Sequence, residues 1–230
     1  MYRSEQLAFH GNKMIPIIIR NYEQKDFDEL IAIQAACFPP PFPSDLWWNK
    51  EQLYNHVTLF PEGAICVEVD DKVVASLTGV CVDFELSDMA HTWAEMTAEG
   101  YITNHNSHGN TIYIVDISVH PAYRTLGLGK MLMHSMYHVV IQKNLMRLLG
   151  GGRMPGYHKH ADQLTAEEYL QAVIAAQLND PVISFLLRCG RVPIAIVENY
   201  LEDEESLNYG VLMEWQNPFK KDYVTKTVSQ

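Results

Sequence analysis

Residues 111–141 read TIYIVDISV (111–119), HPAYRTLGLG (120–129) and KMLMHSMYHVVI (130–141). The β-branched first run predicts a strand, and the third run has the apolar spacing of an amphipathic helix. The turn between them carries two glycines at a helix start, where backbone N–H groups are free and the helix dipole adds partial positive charge. Glycines also let the backbone approach a phosphate closely, because they carry no β-carbon. The stretch therefore predicts a bound phosphate or pyrophosphate.

Three known phosphate loops compete for this turn. The dinucleotide pattern G-x-G-x-x-G needs a glycine where Leu132 stands, and the P-loop needs a glycine at Arg124 and a hydroxyl at Met131. The third pattern, Arg/Gln-x-x-Gly-x-Gly/Ala, is met by Arg124, Gly127 and Gly129. On these residues the turn resembles the pyrophosphate loop of the GNAT superfamily of acyl-CoA-dependent N-acyltransferases.

The order of predicted elements, β-α-α-β-β-β-α-β-α-β-β, resembles the whole GNAT fold over residues 14–216. The resemblance implies an α/β (α+β) fold with a mixed central sheet of about seven strands, flanked by helices. This sheet splays between its fourth strand, Thr111–Val119, and its fifth, Met146–Leu149. Two insertions depart from the family's pattern: residues 84–110, and an extra helix before the helix that ends at Gly190.

The chain is predicted to hold a single domain with short ends. Residues 1–13 are polar and predict a flexible leader, residues 14–216 form the acyltransferase domain, and residues 217–230 form a C-terminal tail.

The resemblance implies where acyl-CoA would bind. The pyrophosphate would lie on backbone N–H groups from Leu126 to Lys130, and the pantetheine arm would pair with the end of the fourth strand, as an added strand does. Asn179 matches the asparagine of the family's N-x-x-A-x-x-x-Y-x-x-x-G pattern, anchored on Gly190. The implied acyl-CoA-binding residues are Ile117, Ser118, Val119, Arg124, Leu126, Gly127, Leu128, Gly129, Lys130 and Asn179.

Amide formation needs a neutral amine, so a base must remove a proton from the ammonium form. Asp116 is the candidate base, because an acid inside a β-branched strand is costly unless it is paired or used; the alternative is a structural carboxylate. The family's proton-donating tyrosine is replaced by Leu186, which cannot donate. Tyr157, Tyr169 or Cys189 could substitute, or the thiolate could leave unassisted; we assign Tyr157 as the second catalytic residue.

The acceptor would approach the stretch GGGRMPGY (150–157), just past the fifth strand. Here Arg153 and Tyr157 are predicted to shape an acceptor pocket, although a plain glycine-rich connector is the alternative. Trp93, in the first insertion, is a third predicted acceptor contact, or else a cap on the core. These stretches resemble a GNAT subgroup that is often fused to a carbon–nitrogen hydrolase domain.

Composition narrows the partners. The 230 residues carry 28 acidic and 17 basic side chains, a net charge of −11, which argues against nucleic-acid binding. His134 and His138 lie at i, i+4 without a nearby third ligand, so no metal is predicted. The four cysteines form no C-x-x-C pair, and we see neither a signal core nor a membrane span, so a cytoplasmic location is predicted.

The sequence thus predicts an N-acetyltransferase in which a primary amine attacks acetyl-CoA directly. A small-molecule amine is slightly favoured over a protein amine, and a homodimer is left open. The alternatives are a non-catalytic acyl-CoA-binding or sensing module, a protein N-acetyltransferase, and a different nucleotide-phosphate enzyme.

Overall fold

The computed structural model describes residues 2–85, 87 and 89–220, which form eight strands and six α-helices. The strands are β1 Arg3–His10, β2 Lys13–Asn21, β3 Ala64–Val69, β4 Lys72–Val82, β5 Thr111–Val119, β6 Arg147–Arg153, β7 Val192–Val197 and β8 Gly210–Gln216. The helices are α1 Phe27–Cys37, α2 Lys50–Leu59, α3 Trp93–Thr97, α4 Leu128–Gln142, α5 Ala166–Ile174 and α6 Ile183–Arg188.

All eight strands belong to one mixed sheet, in the order β1-β2-β3-β4-β5-β6-β8-β7. Its neighbours are antiparallel except β5 and β6, which are parallel and pair only from Thr111 to Tyr113. Beyond that point β5 continues as residues 114–119 and β6 as residues 150–153, without pairing to each other. We call this V-shaped gap the split, and it confirms the splay predicted between the fourth and fifth strands.

The N-terminal segment corrects one prediction. Instead of a flexible leader, Arg3–His10 pair antiparallel with β2 along the whole strand, and Tyr2 donates its N–H to Asn21 Oδ1 at 2.7 Å. An edge strand needs only a neighbour's free peptide groups, so a polar segment can join a sheet without an apolar pattern. The sheet consequently has eight strands rather than about seven.

At the other end, only part of the predicted tail can be compared with the structure. Asn217 is buried and donates its amide to the Leu145 carbonyl, so the chain stays attached just past β8. Residues 221–230 lie outside the described residues.

Both predicted insertions are confirmed. The first, between β4 and β5, contains α3 and the fully buried Ile102. The second contains α5, which begins with the predicted capping box between Thr165 and Glu168. The first insertion lies against β5, one side of the split, and the second lies against α6, which in turn contacts β6.

Candidate active site

The turn before α4 has the geometry of an anion site. Gly127 has φ +73°, a left-handed conformation that glycine adopts without cost, and a β-carbon there would meet no atom within 4 Å. The first helical N–H bonds come from Lys130 (3.1 Å) and Met131 (3.2 Å) to the Gly127 carbonyl. Helix geometry therefore leaves the N–H groups of Leu128 and Gly129 for a ligand, whereas the Lys130 N–H is already used.

The side chains of this turn divide by burial. Leu126 and Leu128 are buried in the core, so only their peptide groups can serve a ligand. Arg124 and Lys130 are exposed beside the turn, and Arg124 Nε donates to the Val119 carbonyl at 3.2 Å. Gly129 is needed for packing, because its β-carbon would lie 3.1 Å from the ring of Phe185 on α6.

The peptide groups of β5 alternate between β4 and the split. The His120 N–H donates to Val74 of the β4 side at 2.9 Å, so the Ser118 peptide, two residues earlier, also faces β4. The peptides of Ile117 and Val119 face the split instead. The prediction of Ser118 as a coenzyme contact is thus corrected, because its peptide is paired and its hydroxyl is bonded to Asp116 at 2.8 Å.

Asp116 stands beside a β-bulge. Thr78 of β4 pairs with Asp116 and Gly79 pairs with Ile114, so Val115 has no opposite residue. Such a bulge re-aims the neighbouring side chains. Asp116 Oδ2 accepts hydrogen bonds from Gln34 Nε2 (2.9 Å) and Ser118 Oγ (2.8 Å).

Burial raises the pKa of Asp116 to about 7, and the hydrogen bonds from Ser118 and Gln34 oppose that rise. A carboxyl with a pKa near neutrality holds and releases protons in the range that a general base needs.

A cavity opens between the split, α1 and the first insertion. Its walls are mostly aromatic and aliphatic, with Asp116 as the acid among them. It is lined by Gln34, Phe38, Phe42, Leu46, Trp48, Trp93, Ile114, Val115, Asp116, Ile117, Gly151, Arg153, Val182, Tyr200 and Leu201. The structure therefore brings together four residues that the sequence predicted separately: Trp93, Asp116, Ile117 and Arg153.

Trp93 forms one wall of the cavity and fastens the insertion to the sheet. Its indole Nε1 donates to the carbonyl of the bulged Val115 at 2.9 Å, and its backbone N–H donates to the Tyr200 carbonyl at 2.8 Å. Both partners lie at the split, so the insertion covers the cavity from a fixed position.

Arg153 also lines the cavity, but its charge is balanced. Its guanidinium donates to both Asp203 oxygens at 2.8 and 2.7 Å and to Glu205 at 3.2 Å. The same group lies 4.8 Å from the centre of the Phe42 ring and 5.7 Å from that of Phe38. These contacts hold Arg153 as a rigid part of the wall.

Tyr157 does not reach the cavity, which corrects its predicted catalytic and acceptor-binding roles. Its ring is buried, 5.4 Å from the ring of Tyr169 and 5.6 Å from that of Tyr209, and its hydroxyl donates to the Leu164 carbonyl at 3.4 Å. Sequence distance misled here, because the chain turns away from the split directly after β6.

The other predicted proton donors are also accounted for. The Tyr169 hydroxyl donates to Asp180 at 2.9 Å, and Cys189 is buried directly after α6. Leu186 is buried against Gly152, where a β-carbon would lie 2.7 Å from its Cδ1. Asn179 is exposed just before the α6 start, and its contact with acyl-CoA stays a prediction.

Among the cavity residues that the sequence did not predict, Gln34 and Tyr200 form hydrogen bonds through their side chains. Gln34 lies four residues after Leu30 on the apolar stripe of α1, and a polar residue at a buried position of such a stripe is a readable signal. Tyr200 sits in the loop after β7 and gave no signal, because only the fold brings it to the split.

Comparison with known proteins agrees with this geometry of a split sheet, a glycine turn and an enclosed cavity. The family model described as Acetyltransferase (GNAT) family matches residues 27–152. The Bacillus subtilis (strain 168) protein named uncharacterized N-acetyltransferase YkwB is 53% identical over 218 residues, which cover 94% of this chain and 96% of that protein. The chain belongs to the GNAT family and is an acyltransferase.

The chain is also similar to a longer protein and to a solved structure. A second protein of the same Bacillus strain, named probable hydrolase YhcX, is 40% identical over 202 residues, 87% of this chain but 39% of that longer protein. The loading GNATL domain of CurA from Lyngbya majuscula superposes with a TM-score of 0.75 at 20% identity, covering 87% of this chain and 98% of that one, which shows a shared fold.

No three or more His, Cys, Asp or Glu side chains cluster closely enough to hold a metal ion in the part of the chain that is described. Within those same residues, no helix has both the length and the hydropathy for crossing a bilayer.

Proposed function

We propose that the protein transfers an acyl group, acetyl in the simplest case, from acyl-CoA to the primary amine of a small molecule. The observation that carries this proposal is the placement of Asp116. It lies inside an aromatic cavity that opens directly onto the split, and the strand that bears it runs into the glycine turn at α4.

The residues at the turn and the split suit acyl-CoA. The Leu128 and Gly129 N–H groups suit a diphosphate, and Arg124 and Lys130 add nearby positive charge. The β5 edge that does not pair with β6 suits an amide-bearing arm, and Arg124 already occupies its Val119 carbonyl. When bound, acyl-CoA supplies an activated acyl carbon and a thiolate leaving group.

Asp116 acts as the base for the amine. A primary amine arrives largely as an ammonium ion and must lose a proton before its nitrogen can attack. Gln34 and Ser118 fix one carboxyl oxygen of Asp116, and the pKa of about 7 leaves a substantial fraction of carboxylate at neutral pH. Direct attack by the amine then requires no covalent enzyme adduct.

The cavity walls indicate the class of acceptor. Aromatic rings bind apolar bodies and also attract cations over their faces, and Phe38, Phe42, Trp48 and Trp93 line this cavity. Because Arg153 is balanced by two carboxylates, it opposes an incoming ammonium less than a free guanidinium would. An amine with an aromatic or aliphatic body suits these walls better than a sugar or a polyanion.

The test is transfer by purified protein supplied with acetyl-CoA and a panel of amines. Free thiol is measured against aromatic, aliphatic and hydroxylated amines and against peptides with free N-termini. We expect thiol release with apolar amines, strongly reduced in Asp116→Asn and retained in Tyr157→Phe, a matched substitution outside the cavity.

The other outcomes distinguish the alternatives. Tight CoA binding without transfer to any amine favours a sensing module, and preference for peptides favours a protein N-acetyltransferase. Stronger binding of ATP or NAD than of CoA contradicts the proposal. The cytoplasmic location and the homodimer stay predictions.

A further inference from the structure

Two glycines on neighbouring strands make room for the ring of Tyr200. A β-carbon at Gly151 of β6 would overlap the Tyr200 hydroxyl and the ring carbon that bears it, and one at Gly210 of β8 would lie 2.5 Å from Tyr200 Cγ. Because these two positions carry no side chain, the Tyr200 ring packs closely against the sheet and is held in one place. Gly151, the middle glycine of the GGG stretch, thus forms part of the space that the Tyr200 ring occupies.

The hydroxyl of Tyr200 is at the apex of the split. It accepts the Gly151 N–H at 3.2 Å and lies 2.8 Å from the hydroxyl of Tyr113, the last β5 residue that pairs with β6. Tyr200 also lines the cavity that contains Asp116. A ligand group entering the split from the cavity would therefore meet this hydroxyl.

Behind Tyr200 the hydrogen bonds continue to a histidine. The Tyr113 hydroxyl lies 3.0 Å from His91 Nε2, and His91 lines a second cleft between the first insertion and β7. When His91 Nε2 carries hydrogen, it donates to Tyr113, Tyr113 donates to Tyr200, and the Tyr200 hydrogen is directed to another acceptor. The chain His91–Tyr113–Tyr200 can thus pass a proton toward the cavity.

Tyr200 holds its proton in the resting protein. Burial raises the pKa of Tyr200 to about 12, although its bonds to Tyr113 and Gly151 oppose the rise. The phenol is consequently a store of one proton at neutral pH, as a general acid must be.

We propose that Tyr200 is the proton donor to the coenzyme sulfur, in place of the tyrosine that Leu186 replaces. This inference rests on the proposed acyl transfer. The acyl carbon–sulfur bond breaks as the acyl carbon–nitrogen bond forms. The Tyr200 proton goes to sulfur, and Asp116 takes a proton from the amine.

Tyr113 and His91 act through Tyr200 and are positioning residues. They return a proton to the Tyr200 phenolate, and His91 takes one from solvent in exchange. Asp116 takes one proton from the ammonium form before attack and a second as the amide forms, and it releases each to solvent. One cycle therefore converts acyl-CoA and an amine into an amide and CoA thiol, with no oxidant or metal required.

The first test measures a spectroscopic signal of Tyr200 rather than enzyme activity. The protein is labelled with 3-fluorotyrosine, and the Tyr200 signal among the twelve tyrosines is assigned by its loss in Tyr200→Phe. We expect the fluorine signal of Tyr200 to shift when CoA is added and to shift much less with desulfo-CoA, which lacks the sulfur. Equal responses to the two ligands overturn the inference while leaving the proposed function intact, whereas no binding of either ligand overturns both.

The second test separates proton donation from support of the fold. Tyr200→Phe is expected to lower kcat with acetyl-CoA about 100-fold while the Kd for CoA stays within twofold. With p-nitrothiophenyl acetate, whose leaving group needs no proton, Tyr200→Phe and wild type should differ by less than threefold. Tyr157→Phe, which removes a buried hydroxyl outside the cavity, should match wild type with both esters.

An equal loss with both esters overturns the assignment, because a structural role or acceptor binding would affect both alike. A change in the KM of the acceptor with kcat unchanged overturns it as well.

Discussion

The coenzyme side and the acceptor side of the split are built in different ways. The glycine turn and the end of β5 come from one stretch, residues 111–130. The peptide groups of this stretch suit acyl-CoA, a ligand that many proteins share. The cavity is assembled from α1, α3, β5, β6 and the loop after β7, and its side chains determine which acceptor fits. The first side depends on backbone conformation, and the second depends on which distant side chains the fold brings together.

Substitution of Gly127 by glutamate should have the largest effect, and its effect on function should be confined to the binding of CoA. A side chain at φ +73° costs about 1–3 kcal/mol, and its carboxylate would repel a diphosphate. We expect the Kd for CoA, measured by calorimetry, to rise at least ~100-fold, or about 2.7 kcal/mol.

Gly190→Glu is the matched control, because Gly190 has φ +80° and an equally open β-carbon position. It should lose similar stability and keep CoA affinity. Equal CoA affinities in the two variants would refute the assignment of the turn.

Asp116→Asn should give the largest effect on the acceptor side. The wild-type rate is expected to rise with pH as the Asp116 carboxyl loses its proton, with a midpoint near the pKa of about 7. The asparagine variant should lack this limb of the kcat/KM profile and fall about 100-fold at pH 8. An unchanged profile would remove Asp116 from acid–base duty.

Gly151→Ala tests how closely the Tyr200 ring packs against Gly151. The added methyl group would overlap the Tyr200 ring, so we expect a loss of about 1–3 kcal/mol in the free energy of unfolding. In the double variant with Tyr200→Ala, the methyl group has room, so the two losses should not add. Additive losses in urea unfolding would contradict the described contact.

The raised pKa of Asp116 also predicts how the free energy of unfolding changes with pH. Its pKa is raised from 3.8 to about 7 in the folded chain, so its contribution to stability is fully present below about pH 4 and is lost as pH rises through 7. Asp116→Asn should therefore gain stability relative to wild type between pH 5 and pH 8, by at most about 1.4 kcal/mol per pH unit. Unfolding by urea at the two pH values measures it, and a relative loss at pH 8 would contradict the burial of the charge.

Trp93→Phe should have the smallest effect. It removes the indole bond to the Val115 carbonyl, worth about 0.5–1.5 kcal/mol, and should raise the acceptor KM several-fold with CoA affinity unchanged. Trp47→Phe is the control, since the Trp47 indole also donates to a carbonyl, that of Phe38 at 3.0 Å, without lining the cavity. If both variants raise KM alike, Trp93 has no special part in the acceptor site.

The difference between the two sides explains what could be predicted from the sequence. The turn at Gly127 follows from a local pattern. The splay between the fourth and fifth strands was implied by the resemblance to the GNAT family that this turn carries, so both were predicted. Asp116 was found because an acid in a β-branched strand is conspicuous.

The remaining features depend on contacts between distant segments. β1 joins the sheet mainly through its peptide groups, with Ala8 buried in the core. Gln34 reaches Asp116 across 82 residues, and Tyr200 reaches Gly151 across 49. Tyr157 shows the converse, because it is close to β6 in sequence and yet is not part of the cavity lining.

The position of CoA in a crystal structure of the complex is the decisive measurement. We expect the diphosphate on the N–H groups of Leu128 and Gly129, the pantetheine arm along Ile117 and Val119, and the sulfur at the split within reach of the Tyr200 hydroxyl. CoA bound elsewhere, with the turn at Gly127 making no contact to it, would refute the assignment of this turn as the coenzyme site.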